Sequence, residues 1–315
     1  MSFSSEVKNE LATIRNLQCC NIAELSALFH IGGSVEVSRS GLALSFQTTN
    51  NAVIRKLMKM VKDQYQIELT LISKKQLNLQ KQDLFVVKVT DKVETMMQDL
   101  SLVNKTALFF HDVDEKLIRK ECCKKAYLRG AFLAGGSINS PDNARYHMEI
   151  QAFNQKQAEV LQKLANDFDL NGKIAANKRG WIVYLKEAER ISDFLRVTGA
   201  TNQLFVYEDS RIKRDFKNSI NRVINCDIAN EKKALDAARQ QLEYIETIEK
   251  ARVGKLTKAM EEIVFLRKTY PEATLLELSY VSAEHFPEMI SKSALNHRFR
   301  ALKELAMTVE NEAKS

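Results

Sequence analysis

The stretch from Ser291 to Lys303 carries four basic residues and no acidic one, with side chains suited to reading a nucleic-acid duplex. Arginine offers a forked donor pair to guanine, asparagine an amide to adenine, and the first turn of a helix offers backbone amides to phosphate. Advancing about 100° per residue from Leu295 brings Phe299, Leu302 and Ala306 within about 40° of it, so these four must face a core. Ser293, His297 and Arg300 then fall on the opposite side, flanked by Lys292, Asn296, Arg298 and Lys303. A solvated amphipathic helix would share this pattern. The absence of acids and the order of the preceding elements favour recognition.

Three helices must position these residues. The first spans about Leu256 to Tyr270 and stops at Pro271. Thr274-Leu-Leu-Glu277 is a capping-box pattern that opens a short helix to about Val281 and makes Thr274 a further candidate contact at a helix N-terminus. Ser291-Lys-Ser293 supplies the cap of the third, which runs to about Met307. This order is that of a helix-turn-helix module. The connection from Ser282 to Ile290 is longer than the usual three or four residues. Upstream, Arg211 to Asn225 and Asn230 to Ile248 have helical periodicity, and residues 211 to 258 hold twelve Lys and Arg against seven Asp and Glu. Arg211, Arg214 and Arg222 are candidate phosphate contacts there, although a solvated basic face explains them equally well.

The first two-thirds of the chain are duplicated. Residues 23–35 read Ala-Glu-Leu-Ser-Ala-Leu-Phe-His-Ile-Gly-Gly-Ser-Val, and residues 126–138, displaced by 103 positions, read Ala-Tyr-Leu-Arg-Gly-Ala-Phe-Leu-Ala-Gly-Gly-Ser-Ile. Each is a helix leading through Gly-Gly-Ser into a strand. Leu44-Ser-Phe-Gln-Thr-Thr-Asn50 likewise matches Met148-Glu-Ile-Gln-Ala-Phe-Asn154. Helical spacing over Ser5 to Leu17, Asn50 to Tyr65 and Gln155 to Phe168, with strand alternation between, gives two αββαββ halves and an α+β fold. A short helix from Ala188 to Thr198 closes the second half. The paired glycines are expected to cap their helices in the left-handed conformation. Two helix ends meeting at a pseudo-two-fold axis could hold divalent cations only with a carboxylate from each. Glu36 follows the first glycine pair, but its counterpart is Asn139, so no symmetric pair of acids exists.

Composition permits this reading without requiring it. The 315 residues are 45% hydrophobic and 28% charged, with a net charge of +7, which allows polyanion binding. The five cysteines, Cys19-Cys20, Cys122-Cys123 and Cys226, lack both an even count and the two-residue gap of zinc fingers, and they read as small helix residues in a reducing compartment. The N-terminus is not of signal-peptide type and no apolar run is long enough to span a membrane, which predicts a cytoplasmic protein. Gly172-Lys173 and Gly254-Lys255 lack the upstream glycine of a P-loop, His147-Met-Glu149 lacks the cysteines of a zinc deaminase, and no nucleophile elbow occurs. Trp181 with Tyr184 and Phe205 with Tyr207 lie in strand-like stretches. Lys178 and Arg179, in the hairpin before Trp181, are where a sheet could touch nucleic acid.

Tyr127-Leu-Arg-Gly-Ala-Phe-Leu-Ala-Gly-Gly-Ser-Ile138 resembles the LAGLIDADG motif of homing endonucleases. In that family an acid at the positions of Gly32 and Gly135 binds the catalytic metal. The two degenerate repeats, the opening Met-Ser-Phe-Ser-Ser-Glu-Val-Lys, Asn221-Arg222, Asn225-Cys-Asp-Ile-Ala-Asn230 and Ser291-Lys-Ser-Ala-Leu-Asn-His-Arg298 resemble the WhiA family of bacterial regulators. That resemblance implies a bilobed LAGLIDADG-like domain over residues 1–210, in halves of about 1–105 and 106–210. A helical linker over 211–252 and a helix-turn-helix domain over 253–308 would follow. It also implies roles in cell division and chromosome segregation and, in sporulating actinobacteria, in transcription of sporulation genes with a WhiB-type iron-sulfur partner. The expectation is a non-catalytic protein that binds double-stranded DNA, without metal or cofactor, nucleoid-associated and open to a division or regulatory partner. The competing readings are a divalent-metal endonuclease with unrecognised ligands and a protein-interaction scaffold of the division machinery.

Overall fold

The Ser2 side chain accepts a hydrogen bond from Ser5 N at 3.3 Å and so caps the first helix, α1 (Phe3–Thr13), which buries Phe3, Val7 and Leu11 along one stripe. The computed structural model describes residues 2–39, 41–75, 83–103, 113–143, 145–178, 180–251 and 256–314. Arg179, the Gly254-Lys255 pair and the junctions at 105–106 and 252–253 lie outside them. The chain divides into two compact units, Met1–Arg214 and Asp215–Ser315.

The duplication is visible element by element in the first unit. After α1 come α2 (Gln18–Gly32), β1 (Gly33–Ser38), β2 (Gly41–Thr48), α3 (Asn51–Tyr65), β3 (Thr70–Lys75), β4 (Asp83–Val89) and α4 (Val93–Asp99). The second half repeats the series as α5 (Glu121–Gly135), β5 (Gly136–Ile138), β6 (Met148–Ala152), α6 (Gln155–Asn166), β7 (Lys173–Asn177), β8 (Gly180–Leu185) and α7 (Ala188–Thr198). Both sheets are antiparallel, in the same order: β1-β2-β4-β3 and β5-β6-β8-β7. The matched asparagines do the same work in each half, since Asn50 Oδ1 accepts from Val53 N at 3.1 Å and Asn154 Oδ1 from Gln157 N at 2.9 Å. Each caps the helix that lies on its sheet. The sequence reading closed only the second half with a helix, whereas α4 closes the first in the same way; its Val93, Met96 and Met97 are buried.

α2 and α5 are buried nearly all round, from Ala23 to His30 and from Ala126 to Leu133, and each packs against the other. Small residues make that approach feasible. A Cβ at Gly130 would stand 2.5 Å from Glu24 O and 2.9 Å from Ala27 Cβ.

The glycines that end these helices act differently from the expectation. Gly33 has φ −89° and Gly136 φ −82°, both extended rather than left-handed. Space, not φ, demands glycine here: a Cβ would meet Phe46 Cε2 at 2.7 Å from Gly32, Phe29 O at 2.6 Å from Gly33, Ile31 Cγ2 at 2.6 Å from Gly135 and Phe132 Cδ2 at 2.2 Å from Gly136. The two helix ends press into each other's side chains and onto their own last turns.

One further helix, α8 (Thr201–Lys250), runs for 50 residues where two shorter ones were expected. No glycine or proline occurs between Thr201 and Lys250, so nothing in the sequence interrupts it. Phe205 and Tyr207 therefore stand on a helix and not in a strand. Tyr207 is buried, its ring 5.9 Å from that of Phe3 and 5.8 Å from that of Tyr146, while Phe205 is exposed.

The second unit contains the end of α8 with α9 (Lys258–Thr269), α10 (Leu275–His285) and α11 (Lys292–Lys314). Its core is built from Ile245 and Ile248 of α8, Ile263 and Leu266 of α9, Leu278 of α10, and Leu295, Phe299, Leu302 and Ala306 of α11. The four α11 residues are the ones that helical geometry assigned to the core. α10 runs four residues beyond Val281, which shortens the connection to α11 to residues 286–291, still longer than the usual turn.

Candidate nucleic-acid interface

The turn between α10 and α11 is closed by two serines. Ser279 Oγ donates to Ile290 O at 2.7 Å, and Ser282 Oγ accepts from Ile290 N at 2.8 Å while donating to Ser279 O at 2.6 Å. Both hydroxyls are buried, and Ile290 itself enters the core. These bonds satisfy both polar groups of the Ile290 backbone and fix where α11 starts. Ser291 Oγ then accepts from Ala294 N at 3.2 Å, the cap expected for α11.

Arg267 holds the other side of the module. It is buried, donates from Nη1 to Ala273 O at 2.6 Å and from Nε to Gln241 Oε1 at 3.0 Å, and lies 5.5 Å from the Phe299 ring centroid. Burial pushes its guanidinium down to about 10, which leaves it charged at neutral pH. Sequence reasoning gave this residue no role. Its position in the last turn of a helix followed by proline was the available signal, because arginine there commonly binds terminal carbonyls.

On this frame, Lys292, Ser293, Asn296, His297, Arg300 and Lys303 are all exposed on α11. Arg298 is not among them. Its Nη1 lies 2.7 Å from Glu262 Oε2 of α9, and the side chain is half-buried. The helical wheel contains the reason, for Arg298 falls only about 60° from Leu295, at the edge of the core stripe. Thr274 sits at the N-cap of α10 as predicted: Oγ1 accepts from Glu277 N at 3.2 Å, and Glu277 Oε2 accepts from Thr274 N at 2.7 Å. Those hydrogen bonds hold the Glu277 carboxyl below its ordinary range.

The candidate phosphate contacts on α8 separate in the same way. Arg211 pairs with Glu189 Oε1 at 3.2 Å and Glu208 Oε1 at 3.5 Å. Arg214 donates to Asn143 O at 2.7 Å and stacks 3.9 Å from the Tyr146 ring centroid, which makes it a brace for the segment before β6. Arg222 is exposed.

At the helix ends of the duplicated domain, the one acid beside the glycines is committed elsewhere. Glu36 Oε2 pairs with Lys88 Nζ at 2.5 Å and Oε1 accepts from Ser45 Oγ at 3.3 Å, across the face of the first sheet. Asn139 bonds to the Arg145 carbonyl at 3.4 Å. The first sheet's register Ser34–Ser45–Lys88–Thr70 corresponds to Ser137–Glu149–Tyr184–Lys173 in the second. In the latter, His147 Nε2 lies 3.0 Å from Glu149 Oε2. Lys178 is exposed in the β7–β8 hairpin. Among the described residues, the group of His, Cys, Asp and Glu side chains able to converge on one ion is Cys19, Cys20, Cys122 and Cys123, at the other end of α2 and α5. No helix among the described residues is long and apolar enough to cross a membrane.

The chain is similar to known proteins over most of its length. Three family models match: a WhiA N-terminal LAGLIDADG-like domain over residues 18–103, a WhiA LAGLIDADG-like domain over 124–217 and a WhiA C-terminal HTH domain over 220–306. The chain is 41% identical over 312 residues to a probable cell division protein WhiA of Oceanobacillus iheyensis, covering 98% of each. It is 40% identical over 312 residues to the Bacillus pumilus protein of the same name, covering 99% of this chain and 98% of the other. Among solved structures it is similar to full-length DUF199/WhiA from Thermatoga maritima, with a TM-score of 0.58, 21% identity and coverage of 98% and 99%.

Proposed function

The chain belongs to the WhiA family, and from that premise we propose that it is a non-catalytic protein that binds double-stranded DNA and acts in cell division. The observation that carries this reading is the exposed side of α11 from Lys292 to Lys303, a stretch without an acid, held in place by the Ser279 and Ser282 bonds to Ile290. Asn296, His297 and Arg300 read base edges in the major groove, and Lys292, Ser293 and Lys303 anchor the backbone beside them. Arg222 adds a phosphate contact from α8. Arg298, Arg211 and Arg214 serve the fold.

The duplicated domain is a scaffold without nuclease chemistry. Gly32 and Gly135 supply no carboxylate, their surroundings leave no space for one, and Glu36 is neutralised by Lys88. The names of the curated relatives support a division role, and we extend it to chromosome segregation and transcription control at the nucleoid of the cytoplasm. Selection of binding sites from random duplexes tests the reading: enrichment of a defined sequence by the full chain, abolished on deleting α11, supports it. Nicking of supercoiled plasmid with Mg²⁺ or Mn²⁺ by pure protein, lost in Glu36→Gln, would establish the nuclease instead.

One observation favours a protein partner as well. Ile212, Phe216, Ile220 and Val223 form an exposed apolar stripe along α8. Such a stripe suits a division or regulatory protein, and chromatin immunoprecipitation of full-length and α11-deleted protein separates the two roles.

A further inference from the structure

Cys19 and Cys20 open α2, and Cys122 and Cys123 open α5. Both pairs are related by the 103-residue displacement of the repeat. A pseudo-two-fold axis between α2 and α5 brings each pair against its own duplicate, which neither pair discloses alone. The four sulfurs lie within 4.8 Å of one another, with 3.9 Å between Cys19 and Cys20 and 4.0 Å between Cys122 and Cys123. All five cysteines of the chain are free thiols, and only Cys226 stands outside the group.

We infer that these four cysteines form a tetrathiolate site for a single thiophilic divalent cation, zinc, that staples the N-terminal ends of α2 and α5. Tetrahedral Zn–S bonds of about 2.3 Å place sulfurs about 3.8 Å apart, so the present spacing closes onto an ion by shifts of an ångström or less. A polynuclear iron-sulfur cluster interposes several atoms and needs wider spacing, and Mg²⁺ or Ca²⁺ would reject sulfur ligands. The surroundings suit the charge. Four thiols release four protons to solvent on binding, giving a site of net charge −2 around Zn²⁺. Two helix N-termini point their amides at it, neither α2 nor α5 has a side-chain cap to compete, and Lys120 acts electrostatically on Cys19. Cys20 and Cys123 are buried in a small cluster with Ala23 and Ala126, whereas Cys122 is exposed and leaves a route of entry. The site stands about 18 Å along the helices from Gly32 and Gly135, so its role is to fasten the two halves, not to cut DNA.

The test uses the full chain, purified reduced and metal-free and titrated with Zn²⁺ and with Co²⁺. Expected are uptake of one ion per chain, protection of four of the five thiols from a thiol reagent, a rise in Tm, and the charge-transfer and visible bands of tetrahedral cobalt thiolate. Cys226→Ser should keep every one of these signals. Cys122→Ser, at an exposed position that does not threaten folding, should change the cobalt spectrum, and Cys20→Ser with Cys123→Ser should abolish it. Reactivity of all five thiols in the presence of Zn²⁺ would overturn the inference. So would a cobalt spectrum indifferent to these variants, or reversible loss of thiols as disulfides without any metal, which would make the cluster a redox pair.

Discussion

The Glu24 carboxylate of α2 accepts from Arg129 Nε of α5 at 2.9 Å, with both side chains closed off from solvent. The pair links the two halves of the duplicated domain, and further groups close around it. Lys56 Nζ lies 2.6 Å from Glu24 Oε1 and donates to Leu11 O at 2.9 Å; Arg129 Nη1 donates to Thr198 O at 2.9 Å and Nη2 to Asn16 Oδ1 at 2.6 Å. The repeat itself did not specify this, because Arg129 matches Ser26 and Glu24 matches Tyr127. Removing Arg129 still leaves Glu24 paired with Lys56, whereas removing Glu24 leaves two buried cations without a counter-charge. Glu24→Gln is expected to cost about 3–5 kcal/mol in urea unfolding, and adding Arg129→Met should return part of that loss. A Glu24→Gln variant as stable as the parent would show the cluster to be ornamental.

Lys8 supplies a pH dependence of opposite origin. Its ammonium lies 5.8 Å from the Phe132 ring centroid, and burial pushes it down to about 8 from an ordinary 10.5. The folded state therefore binds fewer protons than the unfolded chain between these values, so this group's contribution to stability rises with pH across that window. Below about pH 8 the folded protein bears the cost of keeping Lys8 charged. Comparing the parent with Lys8→Met cancels the other titrations: the variant should gain stability at pH 7, and the gap should narrow by pH 9.5. A gap that stays constant with pH would show that Lys8 is well solvated.

How far the sequence spoke for the structure depends on the kind of signal. Periodicity and the repeated Asn50 and Asn154 located both sheets and the helices of the two halves except α4, because caps and alternation are local. Leu295, Phe299, Leu302 and Ala306 were legible as core for the same reason. The misjudged features depend on contacts distant in sequence. The glycine pairs looked like left-handed caps until Ile31, Phe46, Phe29 and Phe132 were seen to fill the space a Cβ needs. Arg298 and Arg214 looked available until Glu262 and Tyr146 appeared beside them. The cysteine pairs read as small helix residues, and that they meet is a matter of packing between the two halves, signalled only by their common displacement.

The packing at the helix ends predicts that nuclease chemistry cannot be restored by a simple exchange. An aspartate at Gly135 would put its Cβ 2.6 Å from Ile31 Cγ2 and its carboxylate between two tightly packed helix ends. Gly135→Asp should lower Tm and yield no Mg²⁺-dependent nicking of plasmid; Gly135→Ala, which tests the steric part alone, should cost about 1–3 kcal/mol. Cleavage by Gly135→Asp together with Gly32→Asp would mean that the ends separate readily and that the lost acids alone silenced the enzyme.

The division of labour on α11 predicts different failures for neighbouring residues. Arg300 is exposed opposite the core stripe, where its fork can reach a base, whereas Lys303 lies a turn further on at the flank. Arg300→Ala should flatten sequence preference at one position, with a loss of about 1–3 kcal/mol on the selected site and little on random duplex. Lys303→Ala should weaken both duplexes alike and reduce the slope of log affinity against log salt by about 0.9. Arg298→Ala should behave like neither, since losing the bond to Glu262 loosens α11 from α9 and shows first in thermal unfolding. Titrations of the three variants at two salt concentrations, on selected and random duplex, distinguish these outcomes. Equal losses for Arg300 and Lys303 on both duplexes would make α11 a phosphate-binding helix and move sequence reading to another part of the chain.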